Sequence, residues 1–411
     1  MKKHFLIVLS TIICLSTLAT AQKPTTKDRH FEINKNIDIL TTIIKEIDLF
    51  YVDSIDVDKV VNRTINSMLA QLDPYTVHIS EEEMGDLKFM TTGEYAGIGS
   101  IISYQDSNVV INEPYRNLPA DKSGLKAGDI ILKIDDKDVT KSNVQEVSDL
   151  LKGKPGTTLA ITVKRPGEKK ERIFKVVREK IAIHPISYAA IVDNNIGYIH
   201  FDTFTEDGAQ EVKNSVLSLK EQGAQSLILD LRGNGGGILE EAVRIVNLFV
   251  PKGQEVVSTK GKIKQWDRVV STTEQPIDSI IPLVVLIDNT SASASEIVAG
   301  TLQDLDRAVV VGDRSFGKGL VQTVRELPFG SSLKVTTSKY YIPSGRGIQA
   351  MDYTHRNPDG SVGRIPDSLT TVFHTRNGRE VRDGGGITPD ITIEEARPGT
   401  ISFYLMTENV I

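Results

Sequence analysis

Between Pro282 and Gln322 the chain reads PLVVLIDNTSASASEIVAGTLQDLDRAVVVGDRSFGKGLVQ, and this stretch admits few folds. The apolar run Leu283 to Ile287 predicts a buried strand and Asp288-Asn289-Thr290 a turn. The spacing of Ile297, Val298, Leu302 and Leu305 then predicts a helix. Three serines, Ser291, Ser293 and Ser295, therefore fall at a strand-to-helix corner. A hydroxyl there lies beside unsatisfied backbone N–H groups and the positive end of the helix dipole, which favours developing negative charge. Ser293 with Glu296 also fits the Ser-x-x-Glu capping box of an ordinary helix start, so the corner alone does not separate chemistry from capping.

A strand predicted at Ala308 to Val311 leads into Arg314-Ser315-Phe316-Gly317-Lys318-Gly319-Leu320-Val321-Gln322. Glycines on either side of Lys318 let the backbone bend and come close to a neighbour. Such a lysine either points at water, as most do, or sits among Phe316, Leu320 and Val321. In the second case burial disfavours the ammonium, and a neutral amine can take a proton from serine. Ser–Lys pairs are a known substitute for Ser–His–Asp.

SASASEIVAG, QDLDRA and GKGLVQ together resemble the carboxyl-terminal processing peptidases, the tail-specific serine proteases of the S41 family in bacterial envelopes and plastids. The resemblance implies that Ser293 is the nucleophile, Lys318 the base and Gln322 a residue that orients the lysine. Lys318 follows Ser293 by 25 residues, the family's habitual separation. The likeness covers nearly the whole mature chain. It implies an α+β / α/β multidomain protein: a mixed α/β protease core of the ClpP/crotonase-like kind, an inserted PDZ domain and an N-terminal helical segment. No cofactor and no metal enters the chemistry so implied.

The first residues read as an export signal over 1–21: basic Met1-Lys2-Lys3, an apolar stretch from Phe5 to Leu18, and the small residues Ala19-Thr20-Ala21. Its apolar part is too short to span a bilayer comfortably, and no later stretch is long and apolar enough either. The expectation is an exported, soluble protein of the periplasm or cell envelope. The lone cysteine, Cys14, lies inside this signal, so the mature chain has neither disulfides nor a thiol nucleophile. A net charge of −6 argues against a broad nucleic-acid footprint and leaves proteins or peptides as partners.

Residues 28–92 read as a helical segment, with Ile37, Leu40, Ile43, Ile44 and Ile47 at helical spacing and a second pattern through Val60, Ile65, Met68 and Leu72. Asp73-Pro74-Tyr75-Thr76 ends it, and a short acidic helix is expected at Glu81-Glu82-Glu83. Residues 93–180 read as a β-rich module whose GLKAGDIILKID block resembles a PDZ domain. The resemblance implies that the N–H groups of Gly97-Ile98-Gly99 bind a peptide's terminal carboxylate and that the following strand pairs with the peptide. The partners so implied are protein or peptide substrates with free C-termini; a homo-oligomer or an adaptor is left open.

From 181 to 411 strands alternate with helices, the pattern of an α/β layer structure. Arg232-Gly233-Asn234-Gly235-Gly236-Gly237 stands between a strand and the helix from Leu239 to Phe249. A dinucleotide fingerprint starting at Gly233 would need glycine where Ile238 stands, and no phosphate-binding lysine follows. The same block resembles the family's second signature, which implies an oxyanion hole made by the N–H groups of Gly236 and Ala294. Tyr341 to Arg346 and Gly386 to Asp390 match further family landmarks, and the chain stops at Val410-Ile411, where relatives generally continue. Two other readings stand beside the Ser–Lys peptidase. One is a non-catalytic PDZ scaffold of the envelope; the other is a Ser–His hydrolase using His200 or His355.

Overall fold

The computed structural model describes residues 26–407 apart from 82, 86–91, 93, 183 and 394–399. The signal expected over 1–21, Glu82 of the acidic helix and the terminal Val410-Ile411 lie outside the described residues. Residues up to Ser67 and residues from Met68 form two compact units. In the first, helix α1 (Thr26–Phe50) and most of α2 (Val57–Ala70) carry the two helical patterns read from the sequence.

Helix α2 ends at Ala70, just ahead of the stop expected at Asp73-Pro74-Tyr75-Thr76. Asp73 accepts the N–H groups of Tyr75 (2.9 Å) and Thr76 (2.8 Å), making a tight turn. Strand β1 (Val77–Ile79) follows and pairs antiparallel with Ser332 to Lys334. Three residues are too few to signal a strand, and a distant partner decides their conformation.

The β-rich module is closed at its neck by β2 (Glu94–Gly97), which pairs antiparallel with residues 179–182. Inside it are β3 (Ser100–Gln105), β4 (Asn108–Pro114), α3 (Pro119–Ser123), β5 (Ile130–Ile134), β6 (Lys137–Asp138), α4 (Val144–Leu151), β7 (Thr158–Lys164) and β8 (Arg172–Val177). Strands β3-β4-β5-β7-β8 form one sheet in that order, and β9 (Glu179–Ala182) completes the neck. Ile111, Leu125, Ile131, Val147, Ile161 and Val163 fill a core separate from that of the protein's main body. Buried Asp129 fixes the GLKAGD turn by accepting from Lys126 N–H (2.9 Å) and pairing with Arg165 (2.7 Å).

The main body follows with β10 (Ile186–Val192), β11 (Ile196–Phe201), α5 (Gly208–Glu221), β12 (Ser226–Asp230), α6 (Leu239–Phe249), β13 (Glu255–Gly261), β14 (Arg268–Ser271), β15 (Leu283–Ile287), α7 (Ala294–Asp304), β16 (Val309–Gly312), β17 (Leu320–Glu326) and β18 (Ser332–Tyr341). Strands β10-β11-β12-β15-β16 and residues 391–392 form one sheet, parallel except between β10 and β11. A parallel strand with helices over it is buried on both faces, hence the unbroken apolar runs of β12 and β15. A five-stranded antiparallel sheet is built on β18, which takes β17 along one edge and β1 and β13 along the other. Helix α7 is buried from Ala294 to Asp304 within the main core, which also holds Val285, Ile287, Val298, Leu302 and Tyr340.

Candidate active site

The corner between β15 and α7 puts Ser293 at the helix N-cap with φ +57° and ψ −111°. A residue bearing a side chain stores strain there, and such sites cluster where function demands a fixed direction. A sharp strand-to-helix turn of this kind lifts a serine hydroxyl clear of the backbone. The three serines of the corner are not equivalent. Ser291 and Ser295 are fully buried and donate to backbone carbonyls, Ser291 Oγ to Leu231 O (2.7 Å) and Ser295 Oγ to Asn234 O (2.9 Å). Ser293 alone of the three is not buried.

Glu296 does more than cap. Its carboxylate is fully buried and accepts four hydrogen bonds. Oε1 takes Ser315 Oγ–H (2.6 Å) and Gly317 N–H (2.7 Å); Oε2 takes Ser293 N–H (2.8 Å) and Lys318 N–H (2.9 Å). One oxygen thus holds the backbones of Ser293 and Lys318 together. Burial pushes this carboxyl up, and its four donors hold back part of the rise. On the carbonyl side, the buried Tyr340 hydroxyl lies 2.7 Å from Lys318 O and 3.2 Å from Ser293 O. Gly317, at φ +88°, backs onto Ala350 so closely that a Cβ would lie 2.3 Å from its methyl.

The Lys318 side chain is half-buried, and its Nζ stands 4.4 Å from the centroid of the Tyr75 ring. Burial lowers its pKa from 10.5 to about 8; Lys334 adds to the fall, while Glu296 and Asp73 oppose it. Gln322, expected to orient this lysine, donates through its amide nitrogen to Thr336 Oγ1 (3.1 Å). Strand pairing sets this contact: a bulge between Val321 and Gln322 puts Gln322 opposite Thr336, and cross-strand neighbours meet side chain to side chain.

Gly236 reaches the corner from the glycine loop. At φ +100°, a Cβ on it would lie 2.7 Å from Ala292 O, 2.9 Å from Ser293 Cβ and 3.0 Å from Ala294 N. Its own N–H donates to Asn234 Oδ1 (2.9 Å), so this expected oxyanion donor is engaged inside the loop. Ala294 N–H, at the first helical position, meets no acceptor among the described residues. Buried Asn234 ties the two segments: its Nδ2 donates to Phe201 O (2.7 Å) and its carbonyl accepts Ala292 N–H (3.1 Å).

In the module, the carbonyls of Ile98 and Gly99 accept Ala120 N–H (2.7 Å) and Tyr115 N–H (3.0 Å). The N–H groups of Gly99 and Ser100 face the Tyr95 hydroxyl. The Tyr95 ring covers Gly97, where a Cβ would meet it at 2.7 Å. The two histidines are occupied elsewhere. His200 Nδ1 bonds Ser187 Oγ (3.1 Å), and the exposed His355 pairs with Asp352 (2.7 Å).

The sequence profile of peptidase family S41 matches residues 195–362, and that of a PDZ domain matches residues 110–165. A carboxy-terminal-processing protease of Bartonella bacilliformis is 32% identical over 99% of this chain and 86% of its own length. The chain belongs to the carboxy-terminal processing proteases of peptidase family S41. The processing protease CtpA of Bacillus subtilis is 32% identical over 84% of this chain and 74% of its own. A solved photosystem II D1 C-terminal processing protease is 28% identical, covering 87% of this chain and 88% of that one with a TM-score of 0.47.

This S41 peptidase is thus a C-terminal processing serine protease with a PDZ domain. Among its described residues no helix is long and apolar enough to cross a membrane. The expectations from the sequence did not include Tyr340, Asn234 or the hydrogen bonds of Glu296 beyond its cap. Asn234 stands in the quoted glycine block and Glu296 in the capping box; nothing local marks Tyr340.

Proposed function

We propose that this peptidase is an exported endopeptidase of the cell envelope that cleaves proteins selected by their C-terminal tails, with Ser293 as nucleophile and Lys318 as general base. The observation that carries this reading is the single Glu296 oxygen bonded to both Ser293 N–H and Lys318 N–H, which sets the two residues side by side. Support also comes from Ser291 and Ser295, whose hydroxyls are committed to buried carbonyls. Residues 93–180 form the tail-binding domain and residues 181–411 the protease core, with residues 28–92 leading into them.

Neutral Lys318 takes the Ser293 hydroxyl proton as Oγ bonds to the scissile carbonyl carbon. The oxyanion faces Ala294 N–H, with Gly236 N–H as the second donor once shared with Asn234. Collapse breaks the C–N bond, and the Lys318 ammonium gives its proton to the leaving amine. Water, deprotonated by Lys318, then attacks the acyl carbon; the C–Oγ bond breaks, the Lys318 ammonium returns its proton to Ser293 Oγ, and the acid product leaves. Neither His200 nor His355 bonds to Ser293, which weighs against a Ser–His variant.

Ser293→Ala should abolish cleavage of unstructured proteins, read by mass spectrometry of products, with an unchanged circular dichroism spectrum. Cleavage at the wild-type rate would overturn the assignment.

A further inference from the structure

We propose that Tyr75 is a positioning residue for Lys318, the face of its ring serving as the seat on which the lysine's amino group rests. This rests on Lys318 being the base. The 4.4 Å between Nζ and the ring centroid lies within the roughly 6 Å over which an aromatic face attracts an ammonium. In a half-buried site the ring replaces water that the ammonium has lost.

The seat is rigidly mounted. Buried Asp73 holds the turn through Tyr75 N–H, Thr76 N–H and Thr76 Oγ1. Thr76 Oγ1 accepts Thr336 N–H (3.1 Å), and β1 continues onto β18. Tyr353 stands edge-on to the ring at 6.2 Å and 88°. Among the described residues no hydrogen bond joins Lys318 Nζ to Ser293 Oγ, and the ring face is the contact that its amino group makes.

The groups facing Lys318 pull in both directions. Lys334 from β18 disfavours its charge, while Glu296 from α7 and Asp73 from the turn favour it. The phenol of Tyr340, pushed well up by burial, stays neutral. The ring face adds to the favouring side, so removing it lets burial and Lys334 prevail.

The test compares Tyr75→Leu with Tyr75→Phe in the full chain. The Lys318 Cε chemical shift is titrated in isotopically labelled Ser293→Ala protein, and the pH profile of kcat/KM is measured with Ser293 intact. Tyr75→Leu should move the Lys318 midpoint and the acid limb down together by about half to one pH unit. Tyr75→Phe, which keeps the ring, should leave both in place. An unmoved Lys318 midpoint in Tyr75→Leu, or an equal shift in Tyr75→Phe, overturns the seat. A lowered midpoint with an unmoved acid limb keeps the seat and removes Lys318 from the role of base.

Discussion

The Ser293–Lys318 junction and the Gly97–Ser100 loop of the PDZ domain are both built of backbone groups beside a tyrosine, yet they are prepared differently. At the junction the backbones are locked from both sides, N–H groups by Glu296 and carbonyls by Tyr340, while the lysine's amino group lies on Tyr75. In the loop the carbonyls of Ile98 and Gly99 are locked and the N–H groups of Gly99 and Ser100 face the Tyr95 hydroxyl. The junction is therefore fixed on both sides of its backbone, whereas the loop is fixed at its carbonyls and leaves its N–H groups facing a hydroxyl. On the proposed Ser–Lys reading, catalysis needs two side chains held near a common point, and a backbone frame locked from both sides meets that need. Tail capture needs only a row of donors that a ligand can claim.

The comparison breaks most visibly at Lys318. Lys318→Arg and Lys318→Met should both lower kcat by on the order of a thousandfold or more, since neither side chain can accept the serine proton. Their stabilities should diverge. The folded-state pKa of Lys318 falls from 10.5 to about 8, so holding it charged destabilises the fold below pH about 8. That cost is relieved as pH rises from about 8 toward 10.5, because there the unfolded chain binds the extra proton. At about 1.4 kcal/mol per pKa unit the cost is on the order of 3 kcal/mol. Lys318→Met should remove it and raise Tm at neutral pH, measured by calorimetry, with the gain shrinking in alkaline buffer. A Lys318→Met protein less stable than wild type would mean that the junction is built around the charge and not against it.

The frame was partly legible before the structure. The apolar run of β15, the Ser-x-x-Glu step and the glycines around Lys318 are local signals, and the elements formed where those signals stand. What escaped was nonlocal or conformational. No residue type announces the positive φ of Ser293. Tyr340 lies 47 positions from Ser293 and meets it only because β18 passes under the corner. The contact of Gln322 with Thr336 turns on strand register and the bulge before it, which the motif does not carry. Strand β1 was invisible for the same reason: its partner lies more than 250 residues away.

A smaller effect tests the frame itself. Glu296→Gln keeps size but offers one acceptor oxygen to four donors, and its amide nitrogen then faces N–H groups. Each orphaned donor costs about 1–3 kcal/mol, so Tm should fall by several degrees. If the carboxylate also sets the approach of Lys318 to Ser293, kcat should drop on the order of a hundredfold with KM little changed. A loss of Tm with normal kcat would reduce Glu296 to a structural strut and leave the junction without its claimed frame.

The smallest effect belongs to the loop, and its sign separates the two regions. Tyr95→Phe retains the ring that covers Gly97 but removes the hydroxyl that the Gly99 and Ser100 N–H groups face. If those N–H groups receive a terminal carboxylate, the wild-type phenol must be displaced before a tail binds. A hydrogen bond of this kind is worth about 0.5–1.5 kcal/mol net, so losing the competitor should tighten tail binding about two- to tenfold. The measurement is calorimetric titration of full-length Ser293→Ala protein, with and without Tyr95→Phe, using one peptide as free acid and as C-terminal amide. The gain should appear for the acid alone, since the amide lacks the charge that the donors favour. Equal affinities in the two proteins would show that the tail is read elsewhere on the domain, and the parallel between a tyrosine under Lys318 and a tyrosine in the loop would end there.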